Sequence, residues 1–292
     1  MNGRSGVLGN NSGFALFGGG HNGSTITAVT DRYTYASNAR TAGTSLGTAR
    51  FLLAATGNST LGLFGGGIIS ANTAVTDRYT YASNARVAGT VLGTARHGLA
   101  ATGNSTLGLF GGGAAATAVT DLYTYANNTR AAGTSLGIAR VYLAATGNST
   151  LGVFGGGYTT TNTAVTDLYT YASHTVAAGT VLGTARRDLA ATGNSTLGVF
   201  GGGSTATAVT AVTDRYTYAS HARTAGTALG TARYQLAATG NSTLGVFGGG
   251  NAGGVTAVTD RYTYASNAVA AGTALGTTRS DLAASSSSPG GF

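Results

Sequence analysis

LLAATGNSTLGLFGGG (residues 52–67), followed shortly by AVTDRYTYASNARVAGTVLGTAR (residues 74–96), decides the fold because the chain repeats it from one end to the other. The Phe before the triple glycine recurs at Phe17, Phe64, Phe110, Phe154, Phe200 and Phe247, a period of 44 to 47 residues. An acid precedes a tyrosine pair at Asp31, Asp77, Asp121, Asp167, Asp214 and Asp260. An arginine follows the second glycine turn at Arg50, Arg96, Arg140, Arg186, Arg233 and Arg279. Such a period marks an array of units, none of which buries its own apolar face alone. No linker interrupts it, so residues 1–292 read as one domain of six repeats with an irregular tail at 285–292.

Each repeat reads as four short strands. In the second copy the first strand spans 52–56, turns at Gly57-Asn58, and returns as 60–64 into Gly65-Gly66-Gly67. Gly-Asn is a hairpin signal because both residues accept positive φ. The third strand spans 74–82 and the fourth 87–92. Asp77, Tyr79 and Tyr81 alternate with Arg78 and Thr80, which puts the acid and both rings on one face. The other face carries Arg in four copies and Leu122 and Leu168 in two, the mark of a partly covered surface. Short β-branched and aromatic runs between Gly and Asn turns, with one proline in the chain, exclude helical solenoids. The expected fold class is all-β, a six-bladed β-propeller of four-stranded antiparallel blades.

The joint spacing resembles the kelch repeat family. Gly65-Gly66, Asp77, Tyr81 and Arg96 stand where that family has its glycine doublet, its Asp four residues before a Tyr, and the Arg opening the next unit; the match recurs in all six copies over roughly residues 14–285. The family's Trp is replaced by Ala42, Ala88, Ala132, Ala178, Ala225 and Ala271. A buried Trp covers on the order of 200 Å², worth about 5 kcal/mol, so blade packing is expected to lean on the tyrosine pairs. The resemblance implies that the first strand of each blade lies innermost.

The ends indicate how the ring closes. The chain enters its first repeat at a second strand, Phe14 to Phe17, and its last landmark, RSDLAA (residues 279–284), copies the opening of a first strand. The C-terminal segment is therefore expected to complete the N-terminal blade. Residues 4–8 are a weaker copy competing for that place, and a strand left over could pair with another molecule's edge in self-assembly.

All 16 basic residues are Arg and all eight acids are Asp, for a net charge of +8. Six Arg and six Asp are repeat-invariant and expected to be structural partners; the other ten Arg face only Asp188 and Asp281. The excess points to an anionic neighbour, or it is the net charge that a Thr- and Ser-rich surface needs for solubility. The absence of cysteine rules out disulfides and Cys-type zinc sites. No apolar run is long enough to cross a bilayer as a helix. The opening MNGRSGVLGNNSGFALFGGG is broken by Asn, Ser and Gly and does not read as a secretory signal. With a Lys-free polar surface, that leads to an expectation of a virion or extracellular surface protein; a mature fragment with an added Met fits the same residues.

Function is sought where the copies differ. By strand direction the loops at 21–27, 68–73, 114–117, 158–163, 204–210 and 251–256 open on one face. So do the dipeptides Phe51-Leu52, His97-Gly98, Val141-Tyr142, Arg187-Asp188, Tyr234-Gln235 and Ser280-Asp281. Phe51, His97, Tyr142, Tyr158, Arg187 and Tyr234 are the candidate partner-binding residues, set against the alternative that these loops simply drift. The glycine triplets lack the Lys-Ser/Thr of a phosphate loop, the four His occupy different repeat positions, and no two acids lie close in sequence, so neither metal nor cofactor is expected. Asn-Ser-Thr in the hairpin turn fits a glycosylation acceptor but is better explained by turn geometry. Only Asp188 and Asp281 remain for acid–base chemistry, and the expected function is not enzymatic. It is a structural or receptor-binding protein of a virion, such as a phage particle, whose partner is a protein of that particle. The alternative is a secreted glycan-binding module or adhesin, whose partner is a cell-surface glycan. Nucleic acid is set aside as a partner.

Overall fold

The computed structural model describes residues 13–288. Twenty-four short strands form six four-stranded antiparallel sheets, and no helix occurs among the described residues. The molecule is a six-bladed β-propeller. Blades 2 to 6 are contiguous, at residues 54–88, 100–133, 144–178, 190–226 and 237–272. Blade 1 is assembled from both ends: Ala283–Ser286 pairs antiparallel with Phe14–Gly18, which continues to Thr30–Thr34 and Ala39–Ala42. The C-terminal segment thus closes the ring, as the offset of the ends requires. Its strand runs through Ser286, two residues into the expected tail; residues 4–8 lie outside the described residues.

Blade 2 shows how the repeat makes a blade. Its strands are Ala54–Gly57, Leu61–Gly65, Thr76–Thr80 and Ala85–Ala88. The turn between the first two is held by Asn58, whose Oδ1 accepts from the amides of Thr60 and Leu61 at 2.9 Å, while its Nδ2 donates to the Ser105 carbonyl of blade 3 at 3.0 Å. The recurrent Asn therefore serves both its own turn and the adjacent blade. All three glycines at 65–67 are required. A Cβ on Gly65 would meet the Phe110 ring of the next blade at 2.9 Å, and Gly66 and Gly67 hold φ of 69° and 105° against carbonyls of Arg96 and Phe51.

The fourth strand differs from expectation. It spans Ala85–Ala88 rather than 87–92, because Asn84 at φ 54° closes a four-residue turn after Thr80 and starts the return earlier. Residues 89–95 instead leave the sheet and carry Leu92 to a seam between blades.

The core lies in six such seams, one between each pair of neighbouring blades. In the seam between blades 2 and 3, Ala54, Leu63, Leu92 and Leu99 pack on Phe110, Tyr123 and Tyr125. The tyrosine pair is buried in each seam as expected, joined by the Leu of the outgoing segment: Leu46, Leu92, Leu136, Leu182, Leu229 and Leu275 are all buried. The inner tyrosine is tied across the seam, with Thr56 and Tyr125 hydroxyls 3.1 Å apart. First strands neighbour one another around the axis, so they are innermost.

Candidate functional site

Two sets of charged residues occupy different levels of each blade. The first is the invariant pair. Arg50, fully buried, stands just before the inner strand of blade 2 and places Nη1 2.6 Å from Oδ2 of Asp77 on the third strand. Its Nη2 also donates to the Phe64 carbonyl at 3.3 Å, and Asp77 Oδ1 accepts from the Gly47 amide at 3.1 Å. The same arrangement joins Arg96 to Asp121, Arg140 to Asp167, Arg186 to Asp214, Arg233 to Asp260 and Arg279 to Asp31. Burial pulls each of these guanidinium groups below its ordinary pKa, and the facing carboxylate opposes the shift.

Eight of the ten remaining arginines are not a free basic surface. Arg40, Arg86, Arg130 and Arg223 each place Nη1 3.3–3.4 Å from an invariant Asp that already has a partner. Arg32, Arg78, Arg215 and Arg261 reach across a seam to a tyrosine carbonyl of the next blade at 3.1–3.3 Å. The expectation that all ten face only Asp188 and Asp281 is corrected: eight are built into blades and seams. Sequence counting could not show this, because two Arg per Asp looks like excess until the fourth strand brings the second one onto the same carboxylate.

The second set lies at the channel mouth on the face with the differing loops. Loop and junction dipeptide are joined there by backbone bridges: Phe51 with Ile68, Val141 with Tyr158, Arg187 with Ser204, Tyr234 with Asn251, and Ser280 with His21. Two independently varying segments therefore form one surface, as strand direction requires. Around the axis the second residue of each dipeptide has positive φ, between 55° and 59°: Leu52, Gly98, Tyr142, Asp188, Gln235 and Asp281. Each donates its amide to the carbonyl of the preceding one at 2.7–2.9 Å, from Gly98 on Leu52 round to Leu52 on Asp281, which closes a ring of six hydrogen bonds. Five non-glycine residues in this conformation are costly, and such strain collects where side chains must be aimed. No sequence signal marks the ring, because six positions with five residue types share one backbone shape.

The candidate residues Phe51, His97, Tyr142, Tyr158, Arg187 and Tyr234 are all half-buried on this face. Phe51 meets His21 edge-on at 6.1 Å, and His97 lies 6.1 Å from the Tyr142 ring with Nδ1 2.7 Å from Asn72 Oδ1. A Cβ on Gly98 would strike the Tyr142 ring at 2.8 Å, so that glycine makes room for the tyrosine. The Arg187 guanidinium sits 4.9 Å over the Tyr158 ring and its Nε lies 3.4 Å from Asp188 Oδ2. Tyr234 is joined to Asn251 and meets none of the other five in an aromatic or ionic contact among the described residues.

The mouth is polar on one side. Asp188, Gln235 and Asp281 are consecutive on the ring, with Tyr142 beside Asp188 and Leu52 beside Asp281, above a girdle of leucines. Burial pushes Asp188 up to about 6, opposed by Arg187. Asp281 is pushed up to about 7 by burial and then by Asp188, opposed by the Ser280 hydroxyl, and its Oδ1 is buried without a hydrogen-bond partner. Burial and then these two acids raise the Tyr142 phenol, and burial lowers His97. The sequence had singled out both acids as leftovers; only the common ring position makes them neighbours.

No protein-family model matches the chain, and a comparison with curated proteins gives no match either. The propeller is thus established by its own sheets and seams.

Proposed function

We propose that this propeller is a kelch-like, non-enzymatic binding protein that engages its partner through the face carrying the differing loops. One observation carries the reading: the loops and the junction dipeptides, which vary independently between copies, are bridged into one continuous surface, while the opposite face repeats nearly the same turns, the Gly-Asn turn five times and the third-to-fourth turn six. Half-buried Tyr142, Tyr158, Arg187 and Tyr234 offer the rigid amphipathic area from which contacts draw most of their energy. A polar, low-charge scaffold with its guanidinium groups tied into blades suits a particle-surface protein, structural or receptor-binding, in a virion. The second reading, a secreted glycan-binding module or adhesin, is favoured by Tyr142 lining the mouth together with Gln235 and the two acids, an arrangement able to stack and hydrogen-bond a sugar ring.

The test places a photo-crosslinking amino acid at position 234, and separately at position 104 on the opposite face, in the producing organism. Crosslinks to a particle protein from position 234 alone support the first reading. Retention on a glycan array that is lost on Tyr142→Ala with Tyr234→Ala supports the second. Crosslinks from position 104 alone would show that the wrong face has been chosen.

A further inference from the structure

The six seams are of two kinds. In four, an outward Arg on the third strand of one blade meets a tyrosine carbonyl of the next: Arg32 on Tyr81, Arg78 on Tyr125, Arg215 on Tyr264 and Arg261 on Tyr35. The turn of the receiving blade then holds Asn84, Asn128, Asn267 or Asn38, all at φ 54–58°. In the other two seams the Arg is Leu122 or Leu168, and the receiving turn holds His174 or His221 in that same backbone conformation. The exchanges go together in every seam, so the pair is one unit of design rather than two drifting positions.

Replacing Arg by Leu leaves something behind. Leu168 is buried, and no donor among the described residues reaches the Tyr218 carbonyl, whereas its counterpart Tyr125 receives the Arg78 guanidinium at 3.1 Å. A groove opens at this seam, lined by Leu151, Thr170, Thr217, Tyr218 and His221. His221 lies roughly parallel to the ring of Tyr216, at 26° and 6.5 Å, and makes no hydrogen bond to that carbonyl. The lining, which also includes Asn148, Thr150, Ser195 and Thr196 at the Gly-Asn turns, is rich in hydroxyl and carbonyl acceptors, has an apolar wall from Leu151, and bears no Arg or Asp.

We propose that this groove between blades 4 and 5 receives an arginine side chain presented by a partner chain. The four sibling seams show the occupant in place: a guanidinium, donor-only and flat, with an N–H on the tyrosine carbonyl. In the fourth-to-fifth seam the chain withholds that group and lines the space with acceptors. The groove lies on the face of the Gly-Asn turns, opposite the differing loops, so this site is independent of the function proposed above.

The probe is N-acetylarginine amide, with N-acetylleucine amide as control, titrated into the whole chain labelled with ¹⁵N. Arginine should shift the amides of Thr170, Thr217, Tyr218 and His221, and leucine should not. The double variant Leu168→Arg with His221→Asn recreates a sibling seam and should weaken the arginine effect at least about tenfold. Thr217→Val, which removes an acceptor at an exposed position, should weaken it several-fold if the double variant fails to fold. Absence of arginine-specific shifts at these residues, or shifts that persist unchanged in the folded variants, would overturn the proposal.

Discussion

Asp121 and Asp281 are both aspartates withdrawn from water, and the fold treats them in opposite ways. Asp121 receives Arg96 at 2.8 Å, Arg130 at 3.3 Å and the Gly93 amide at 3.1 Å. Asp281 has a buried, unpartnered oxygen, a second acid on the same ring and a pKa pushed up to about 7. The first carboxylate is the centre of a blade and recurs six times; the second occurs where the repeat is free to vary. A buried charge met by guanidinium is scaffold, and a buried charge left unmet is paid for by the scaffold and kept for another reason.

The comparison is broken most severely by removing one scaffold pair with its strand. Truncation before Arg279 deletes the partner of Asp31 together with the strand Ala283–Ser286, leaving Phe14–Gly18 as an open edge on the inner side of blade 1. The expected outcome is loss of cooperative unfolding and soluble expression, read by calorimetry and size-exclusion chromatography; a truncated chain with a native melting transition would show that closure is dispensable.

Asp121→Ala is next. It strands two guanidinium groups and should cost about 3–5 kcal/mol in denaturant unfolding. Among the described residues Asp167 pairs with Arg140 alone, since Val176 stands where four of the other five blades have a second Arg. Asp167→Ala should therefore cost less than Asp121→Ala, and equal losses would mean that the second arginine contributes nothing.

Asp281→Asn tests the other side and has the opposite sign. The folded pKa of Asp281 lies above its ordinary value, so the folded chain holds a proton that the unfolded chain releases. That contribution is fully present below about pH 4 and is lost as pH rises through about 7. The Asn variant should match the native protein in acid and exceed it at pH 8 by on the order of 2–4 kcal/mol. Equal stability at pH 8 would show that water reaches the carboxylate freely. Because Asp188 is coupled to Asp281, the double variant should gain less than the sum of the single ones.

Much of the fold was legible because the repeat supplies six readings of each signal. Gly-Asn, the triple glycine, the Asp-Tyr-Tyr alternation and the offset ends each impose one local geometry, and the structure has all of them. The fourth strand lies earlier than the spacing predicts because Asn84, between the two expected strands, takes a left-handed conformation that shortens the connection and hands Leu92 to the seam. At the candidate site, the choice of face followed from strand direction, since loops joining antiparallel strands must alternate between ends. The ring at the mouth was hidden, because Leu52, Tyr142 and Gln235 have no shared preference that would announce a shared φ. The role of the surplus arginines was hidden for another reason: pairing between blades depends on seam geometry, which no single repeat contains.

The closed ring at the mouth has a consequence for electrostatics. Six amide dipoles run head to tail around the axis in one rotational sense, and tangential dipoles arranged in a closed circle cancel at its centre. These six amides therefore contribute almost no net field on the axis at the mouth, and each is already committed as a donor within the circle. Whatever potential exists at the mouth belongs to the side chains, which can be exchanged one at a time without disturbing the circle beneath them, as six positions already filled by Leu, Gly, Tyr, Asp, Gln and Asp demonstrate.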